Sequence, residues 1–207
     1  MSDPRTALVG AGYDTRADIW EDWVARIEDD TRLEWLAELT ARVPAGEAVV
    51  ELGCGGGTVE TRALAERYRL TGVDLSGEQL RRARERVPEA TFVQADFTSV
   101  EFAAGSLGGV AAFYSFNHVP RELLAPLCSR IHSWLRPGGV FLSAFGTGDL
   151  EAWEGDWLGA PTFFSSFPPE VNSTLLRDAG FELVRDEVLE MREPEGPVSF
   201  QWILAVR

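Results

Sequence analysis

The chain has 207 residues, 45% of them hydrophobic and 25% charged, with 7 Trp and 12 Phe; this predicts one folded domain with a substantial core and excludes a disordered chain. Its 33 acidic residues against 19 basic ones give a formal charge of −14, a field that repels nucleic-acid phosphates and anionic membrane surfaces. Every basic residue is Arg, and the absence of Lys excludes a Walker-type phosphate loop, a pyridoxal Schiff base and a lysine-assisted short-chain dehydrogenase.

Between Asp14 and Arg42, Ile19, Trp20, Trp23 and Ile27 and then Leu33, Leu36 and Leu39 recur at helical spacing. They predict two amphipathic helices broken near Glu28-Asp29-Asp30-Thr31, with Thr31 as the cap of the second. After Pro44, short β-rich runs alternate with helices, the pattern of a mostly parallel sheet covered on both faces. Strands are expected at 48–52, 70–73, 91–94, 110–115 and 140–144. Ser76 and Gln79 form a capping box before the helix over 80–87, and Leu123, Leu124, Leu127, Ile131 and Leu135 mark a helix that ends at Pro137-Gly138-Gly139. Val171, Leu175 and Ala179 mark another, stopped by Gly180. Gly146 to Phe167 reads as a long aromatic-rich loop, and Phe181–Met191 with Val198–Val206 as an antiparallel hairpin around Glu193–Pro197. The expected fold is α/β: a doubly wound, Rossmann-like, mostly parallel sheet of seven strands with the last one antiparallel. One domain, 1–207, would comprise a helical cap (1–43), a cofactor-binding core (44–146) and a substrate loop with the C-terminal hairpin (147–207).

The segment Val49-Val50-Glu51-Leu52-Gly53-Cys54-Gly55-Gly56-Gly57-Thr58 is a hydrophobic strand that ends in glycines and opens a helix, a turn that lets a ligand touch backbone. Thr58 stands where the dehydrogenase fingerprint has its third glycine. Glu51, inside the strand, would repel a pyrophosphate but favour a ligand carrying a cationic sulfonium and a free ammonium. Asp74 and Asp96 fall at the ends of the next strands at closely matched spacing, on the sheet edge where ligands of open α/β sheets lie. There Asp74 can accept both ribose hydroxyls and Asp96 an adenine amino group, with Leu75 and Phe97 sandwiching the ring. A single Asp after a strand is most often a turn or cap residue, but three acids with glycines between them are hard to explain as independent caps.

These segments resemble the class I S-adenosylmethionine-dependent methyltransferases of the small-molecule type. Glu51–Gly57 matches the family's glycine motif, Thr71–Ser76 its ribose-binding segment, Ala95-Asp96-Phe97 its adenine-binding segment and Leu135–Gly139 its turn before the fifth strand. Tyr13-Asp14 with Trp20 and Trp23 resembles the helical cap that closes many of these enzymes, and Phe113–Pro120 the segment in which Ser115 and His118 lie beside the methionyl part of the cofactor. Ser106-Leu107-Gly108-Gly109 departs from the Phe-Asp that usually introduces the fourth strand. The resemblance implies S-adenosyl-L-methionine as cofactor and S-adenosyl-L-homocysteine as product. Glu51, Gly53, Cys54, Gly55, Gly57, Asp74, Leu75, Gln79, Asp96, Phe97 and Ser115 would hold the cofactor. It also implies a small acceptor, in a family whose similar members act on small acids and secondary metabolites, with transfer to oxygen expected. Transfer to nitrogen or carbon, or a non-catalytic cofactor-binding protein, are the alternatives; a nucleotide-dependent oxidoreductase is disfavoured by Glu51 and Thr58.

Displacement at an already activated methyl needs positioning more than special reagents, and a base helps only when the acceptor carries a proton. His118 and Tyr13 are the catalytic candidates, against plain packing roles for both; the Tyr13 phenol could instead reach the methionine carboxylate. For Trp20, substrate contact and core packing weigh equally, whereas Trp23 reads as core. In the segment after the fifth strand, Trp153, Trp157, Phe163 and Phe164 are expected to wall an apolar substrate pocket with Ser165 and Ser166 as polar contacts. The competing readings are that these aromatics seal the core or form a homodimer contact.

Cys54 and Cys128 are too few for a disulfide framework, and Cys54 reads as a small buried filler. His118 and His132, without a Cys/His cluster, offer no metal site. Met1 to Arg5 shows no hydrophobic signal region, and no apolar run approaches the ~18 residues of a membrane span. The expectation is a cytoplasmic protein with a small-molecule substrate and no nucleic-acid or membrane partner.

Overall fold

In the computed structural model, which describes residues 3–207, α1 (Pro4–Val24) and α2 (Arg32–Arg42) precede β1 (Ala48–Leu52), α3 (Val59–Ala65), β2 (Arg69–Asp74), α4 (Gly77–Arg86) and β3 (Thr91–Gln94). The chain continues through β4 (Leu107–Ala112), α5 (Arg121–Trp134), β5 (Leu135–Gly146), a hairpin of β6 (Leu150–Trp157) and β7 (Ala160–Ser166), α6 (Pro169–Asp178), β8 (Glu182–Glu193) and β9 (Gly196–Val206). Met1 and Ser2, part of the N-terminal stretch read as leaderless, lie outside the described residues. The main sheet has seven strands in the order β3-β2-β1-β4-β5-β9-β8. Only β9 runs against its neighbours, pairing antiparallel with both β5 and β8, so the expected sheet with a reversed last strand is what forms. Among the described residues no helix is long and apolar enough to cross a membrane.

Because side chains alternate along a strand, β1 sends Val50 and Leu52 into a core under α5 and α6 that includes Leu127, Ile131, Phe141 and Leu176. Val49 points the other way, toward Trp35, Leu39, Leu64 and Trp202, where Trp35 and Trp202 stack with centroids 5.6 Å apart. The reversal from β2 to β4 across β1 opens a crevice at the carboxyl edge, and the ends of β1, β2 and β4 meet there.

Several elements depart from the sequence pattern. α1 starts ten residues before the apolar stripe, because Asp3 caps it by accepting from the Arg5 N–H at 2.9 Å and Pro4 opens its first turn. Within this early stretch Gly12 stands where neighbours pack close: a Cβ there would strike Arg16 and the Pro161 carbonyl. Of the predicted stripe, Ile19 and Leu33 are exposed. The break near Asp29 is real, with that residue at φ 60°. Thr31 makes no capping bond, and Asp30 instead accepts from the Arg32 N–H at 3.0 Å. Ser76 does cap α4 through the Gln79 N–H (3.1 Å), but the Gln79 amide does not reach back, so the box is half formed. β4 begins at Leu107, three residues earlier than expected, and absorbs Gly108 and Gly109, whose smallness admits Glu47 and Val43. α5 ends at Trp134, and Pro137-Gly138-Gly139 falls within β5.

The largest correction concerns Gly146–Phe167, which is not a loop. It is the β6–β7 hairpin, closed by Leu158 (φ 52°) and Gly159 (φ 77°) between the paired Trp157 and Ala160, a two-residue turn with both φ values positive. α1 packs against β7, and Arg16, 1% exposed, clamps the two. Its guanidinium donates to the carbonyls of Trp157, Ala160 (3.3 Å) and Pro161 (3.4 Å). It also lies over the Tyr13 and Trp157 rings at 4.7 and 5.1 Å. Arg16→Met keeps the apolar stem but strands those carbonyls. It is expected to cost about 2 kcal/mol or more, read as a lower urea midpoint and as faster proteolysis within 147–167.

Candidate active site

The β1–α3 turn is built by glycines because no other residue fits it. Gly53, Gly55 and Gly57 sit at φ 75, 53 and 73°, in the left-handed region that only glycine enters freely. A Cβ on Gly53 would strike Ser115, and one on Gly57 would lie 2.9 Å from the Ala83 Cα. Two main-chain groups turn onto Asp74 at the end of β2: the N–H of Gly55 donates to its Oδ2 at 2.8 Å and the N–H of Ser76 to its Oδ1 at 2.9 Å. Burial pushes the Asp74 carboxyl up while these two bonds oppose it. The remaining lone pairs of a carboxylate held this way can take a vicinal diol.

α1 roofs this turn. Asp14 accepts from the Ser76 hydroxyl (2.6 Å) and the Glu78 N–H (3.0 Å), and Arg82 pairs with Asp18 (2.6 Å) and Glu21 (3.1 Å). Trp20 lies with its ring edge 3.5 Å from the space above Gly55. Beneath α1 is a cavity of about 430 Å³, reached by Gly53, Cys54, Gly55, Asp74, Leu75, Gln79, Phe97 and Ser115 on the crevice side. Gln79 is buried with both amide atoms unpartnered, a polar group prepared for a ligand. The left-handed glycine cradle, the spare acceptors of Asp74 and this orphaned amide together fit a nucleoside with an amino-acid tail.

Across the cavity stand Tyr13, Trp20, Trp157, Phe164 and His118. His118 comes from the short turn after β4, where Tyr114 (φ 59°) bends the chain out of the sheet. Its Nδ1 lies 2.8 Å from the Phe163 carbonyl and its Nε2 3.0 Å from the Tyr13 hydroxyl. A carbonyl only accepts, so Nδ1 carries the proton, and Nε2 accepts from Tyr13. Burial lowers the His118 pKa to about 4, while burial raises that of Tyr13; the pair rests as neutral imidazole and neutral phenol.

Five sequence-expected site residues do not line the cavity, among them Gly57, which packs against Ala83. Glu51 shares the Val49 face of β1 and does not line the cavity; 2% exposed, it packs behind the turn near Thr61 and Glu60. Burial, and then Glu60, push its carboxyl well above the usual range. Asp96 does not line the cavity; its Oδ2 takes the Thr6 hydroxyl at 2.7 Å and its Oδ1 the Thr98 N–H and hydroxyl. Alternation on β7 sends Phe164 into the cavity and Phe163, fully buried, beneath Arg5. Trp153 is 40% exposed and packs on the outer side of Phe164. Trp23, read as core, in fact lines the cavity and donates its indole N–H to Glu195 at 2.8 Å. Arg32, Glu60 and Glu193 also line it and were missed, since no motif surrounds them.

A protein-family profile described as a methyltransferase domain matches residues 49–139. An uncharacterized methyltransferase of a Synechocystis species is 30% identical over 151 residues, covering 68% of this chain and 69% of that protein. A trans-aconitate 2-methyltransferase of Paracidovorax citrulli is 41% identical over 128 residues, covering 58% of this chain and 48% of that protein. The chain thus spans about half the length of most of the curated relatives it matches. Among solved structures, magnesium protoporphyrin IX methyltransferase from Synechocystis, with bound S-adenosylhomocysteine, superposes with a TM-score of 0.75 at 18% identity, covering 99% of this chain and 100% of that one; at that identity the likeness is one of fold. The chain belongs to the S-adenosylmethionine-dependent methyltransferases.

Proposed function

We propose that the chain moves a methyl group to a hydroxyl oxygen of a small, flat, largely apolar acceptor bound beneath α1. The observation that carries this reading is the Tyr13–His118 pair, a hydrogen-bonded proton path that opens onto a cavity walled by Trp20, Trp157 and Phe164. When bound, S-adenosylmethionine supplies an electrophilic methyl carbon on a sulfonium. Asp74 would hold its ribose hydroxyls, Leu75 and Phe97 would flank its base, and Gln79 and the backbone of Gly53 and Gly55 would meet its polar groups.

The acceptor hydroxyl donates to the free lone pair of the Tyr13 oxygen, while the Tyr13 O–H donates to His118 Nε2. As the acceptor oxygen gains carbon, its proton passes to the Tyr13 oxygen and the Tyr13 proton passes to Nε2. The positive charge lost at sulfur therefore ends on the imidazole, with every atom accounted for. Burial and Arg16 disfavour that imidazolium, so His118 is a weak base and returns the proton on product release. Most of the rate comes from alignment in a site closed by α1, an effect worth up to about 7–11 kcal/mol in well-oriented systems. The acceptor in the name of several relatives, trans-aconitate, is a tricarboxylate, and the cavity wall offers it no unpaired cation among the described residues: Arg32 is already bound to Asp30 and Glu60, both at 2.6 Å.

Three outcomes are expected. Asp74→Ala should weaken S-adenosylhomocysteine binding about 10- to 100-fold in calorimetry, the loss of charge-assisted bonds worth about 1.5–3 kcal/mol. Trp157→Ala or Phe164→Ala should raise the acceptor KM far more than the cofactor Kd; equal effects on the two would count against the assigned walls. Folding lowers the His118 pKa, so its basic form persists below the ~6.5 of free imidazole and is lost only as pH falls toward about 4. Hence kcat at saturating substrates should show no inflection near 6.5 that His118→Gln abolishes, and Tyr13→Phe should lower kcat with little change in cofactor Kd.

A further inference from the structure

The acceptor side of the cavity ends against the β8–β9 hairpin, where Met191, Glu193, Val198 and Phe200 face Trp23 and Ile27 of the cap. Glu193 is half-buried in this apolar setting, and among the described residues no hydrogen bond or ion pair reaches its carboxyl. Burial and the neighbouring Glu195 push it up to about 7, the mark of a carboxyl that lacks a cation. Glu195 cannot be relieved by moving away, because the Trp23 indole N–H bridges both its oxygens at 2.8 and 3.0 Å.

A second carboxylate shows the same deficit. Glu60 lines the cavity, is 4% exposed and has an Oε2 with no partner. Its other oxygen is on Arg32, the one cationic side chain on the wall among the described residues, which Asp30 also claims. The cavity therefore carries more carboxylate than cation, and the aromatic rings of Tyr13, Trp20, Trp23 and Trp157 between them favour a positive charge. The formal charge of −14 acts in the same direction by concentrating cations at the entrance.

We propose that the acceptor is a flat hydroxylated organic amine whose ammonium is held by Glu193 while its hydroxyl reaches Tyr13, and that carboxylate acceptors are excluded. This rests on the methyl-transfer reading of the same cavity. It assigns Glu193 as the residue that selects among acceptors, and it departs from the small acids that the family resemblance suggested.

The test is calorimetry on the full chain. S-adenosylhomocysteine is titrated first, then matched probes into that complex: tyramine, 4-ethylphenol, 4-hydroxyphenylacetate and trans-aconitate. Tyramine should bind at least about 10-fold tighter than 4-ethylphenol, a difference of about 1.4 kcal/mol, and the two acids should bind weakest. Glu193→Gln should bring tyramine to the level of 4-ethylphenol while the Kd of S-adenosylhomocysteine stays unchanged. Glu193→Asp should keep a reduced preference, which a merely structural role would not produce. Equal or tighter binding of either acid, no binding of tyramine, or an amine preference that survives Glu193→Gln overturns the proposal. Failure of S-adenosylhomocysteine itself to bind would instead overturn the methyl-transfer reading, so the two failures are separable.

Discussion

The buried guanidinium of Arg16 is the constraint on which the cavity depends. An Arg at 1% exposure with no carboxylate partner is expensive, and burial lowers its pKa accordingly. The charge is spread instead over three main-chain carbonyls of the β6–β7 hairpin and two aromatic faces. One residue thus fixes α1 against β7, fills the space beside Gly12 and backs the Tyr13 ring. Tyr13 can keep its hydroxyl 3.0 Å from His118 Nε2 only because that ring is held, so the clamp and the proton path are parts of one arrangement.

Carboxylates are managed in three different ways around the same crevice. Asp74 is held by two backbone N–H groups and remains a directed acceptor. Glu51, one strand away, has no such backbone donors, and burial pushes its carboxyl up. Glu60 is half satisfied by Arg32, and Glu193 has no protein partner among the described residues. The gradient runs from the side proposed for the cofactor, where the protein itself supplies the hydrogen bonds, to the side proposed for the acceptor, where a ligand would supply them.

The glycine turn and its partners were legible in the sequence because they are local: the turn, Asp74 and Ser76 occupy consecutive segments whose spacing follows from strand and helix lengths. The sheet and its reversed strand were legible for the same reason. Tyr13 and His118 could each be singled out, but their hydrogen bond joins residues 105 apart, and no periodicity encodes that. The β6–β7 hairpin was hidden by Gly, Pro and Ser, which read as loop, and by aromatics on both of its faces, which erased the alternation that separates Phe164 from Phe163. Glu51 and Asp96 misled because matched spacing fixes where a residue sits along an edge, not which face its side chain takes. Glu193 lies in a strand-end turn where acids are ordinary, and only the fold sets it against Trp23.

The two attachments of α1 differ in strength. On the α4 side, Asp18 is 90% exposed and Glu21 29% exposed in their pairs with Arg82, and such pairs are worth about 0–1 kcal/mol each, less at high salt. On the hairpin side, opening would strand a buried charge and its carbonyls, a loss of about 3–5 kcal/mol. The buried Arg16 clamp therefore ties α1 to the β6–β7 hairpin more firmly than the exposed Arg82 pairs tie it to α4. At the rim α1 is further held by Asp14, which accepts from the Ser76 hydroxyl and the Glu78 N–H. The chain break around Asp29, in a left-handed conformation, joins α1 to α2 within the cap.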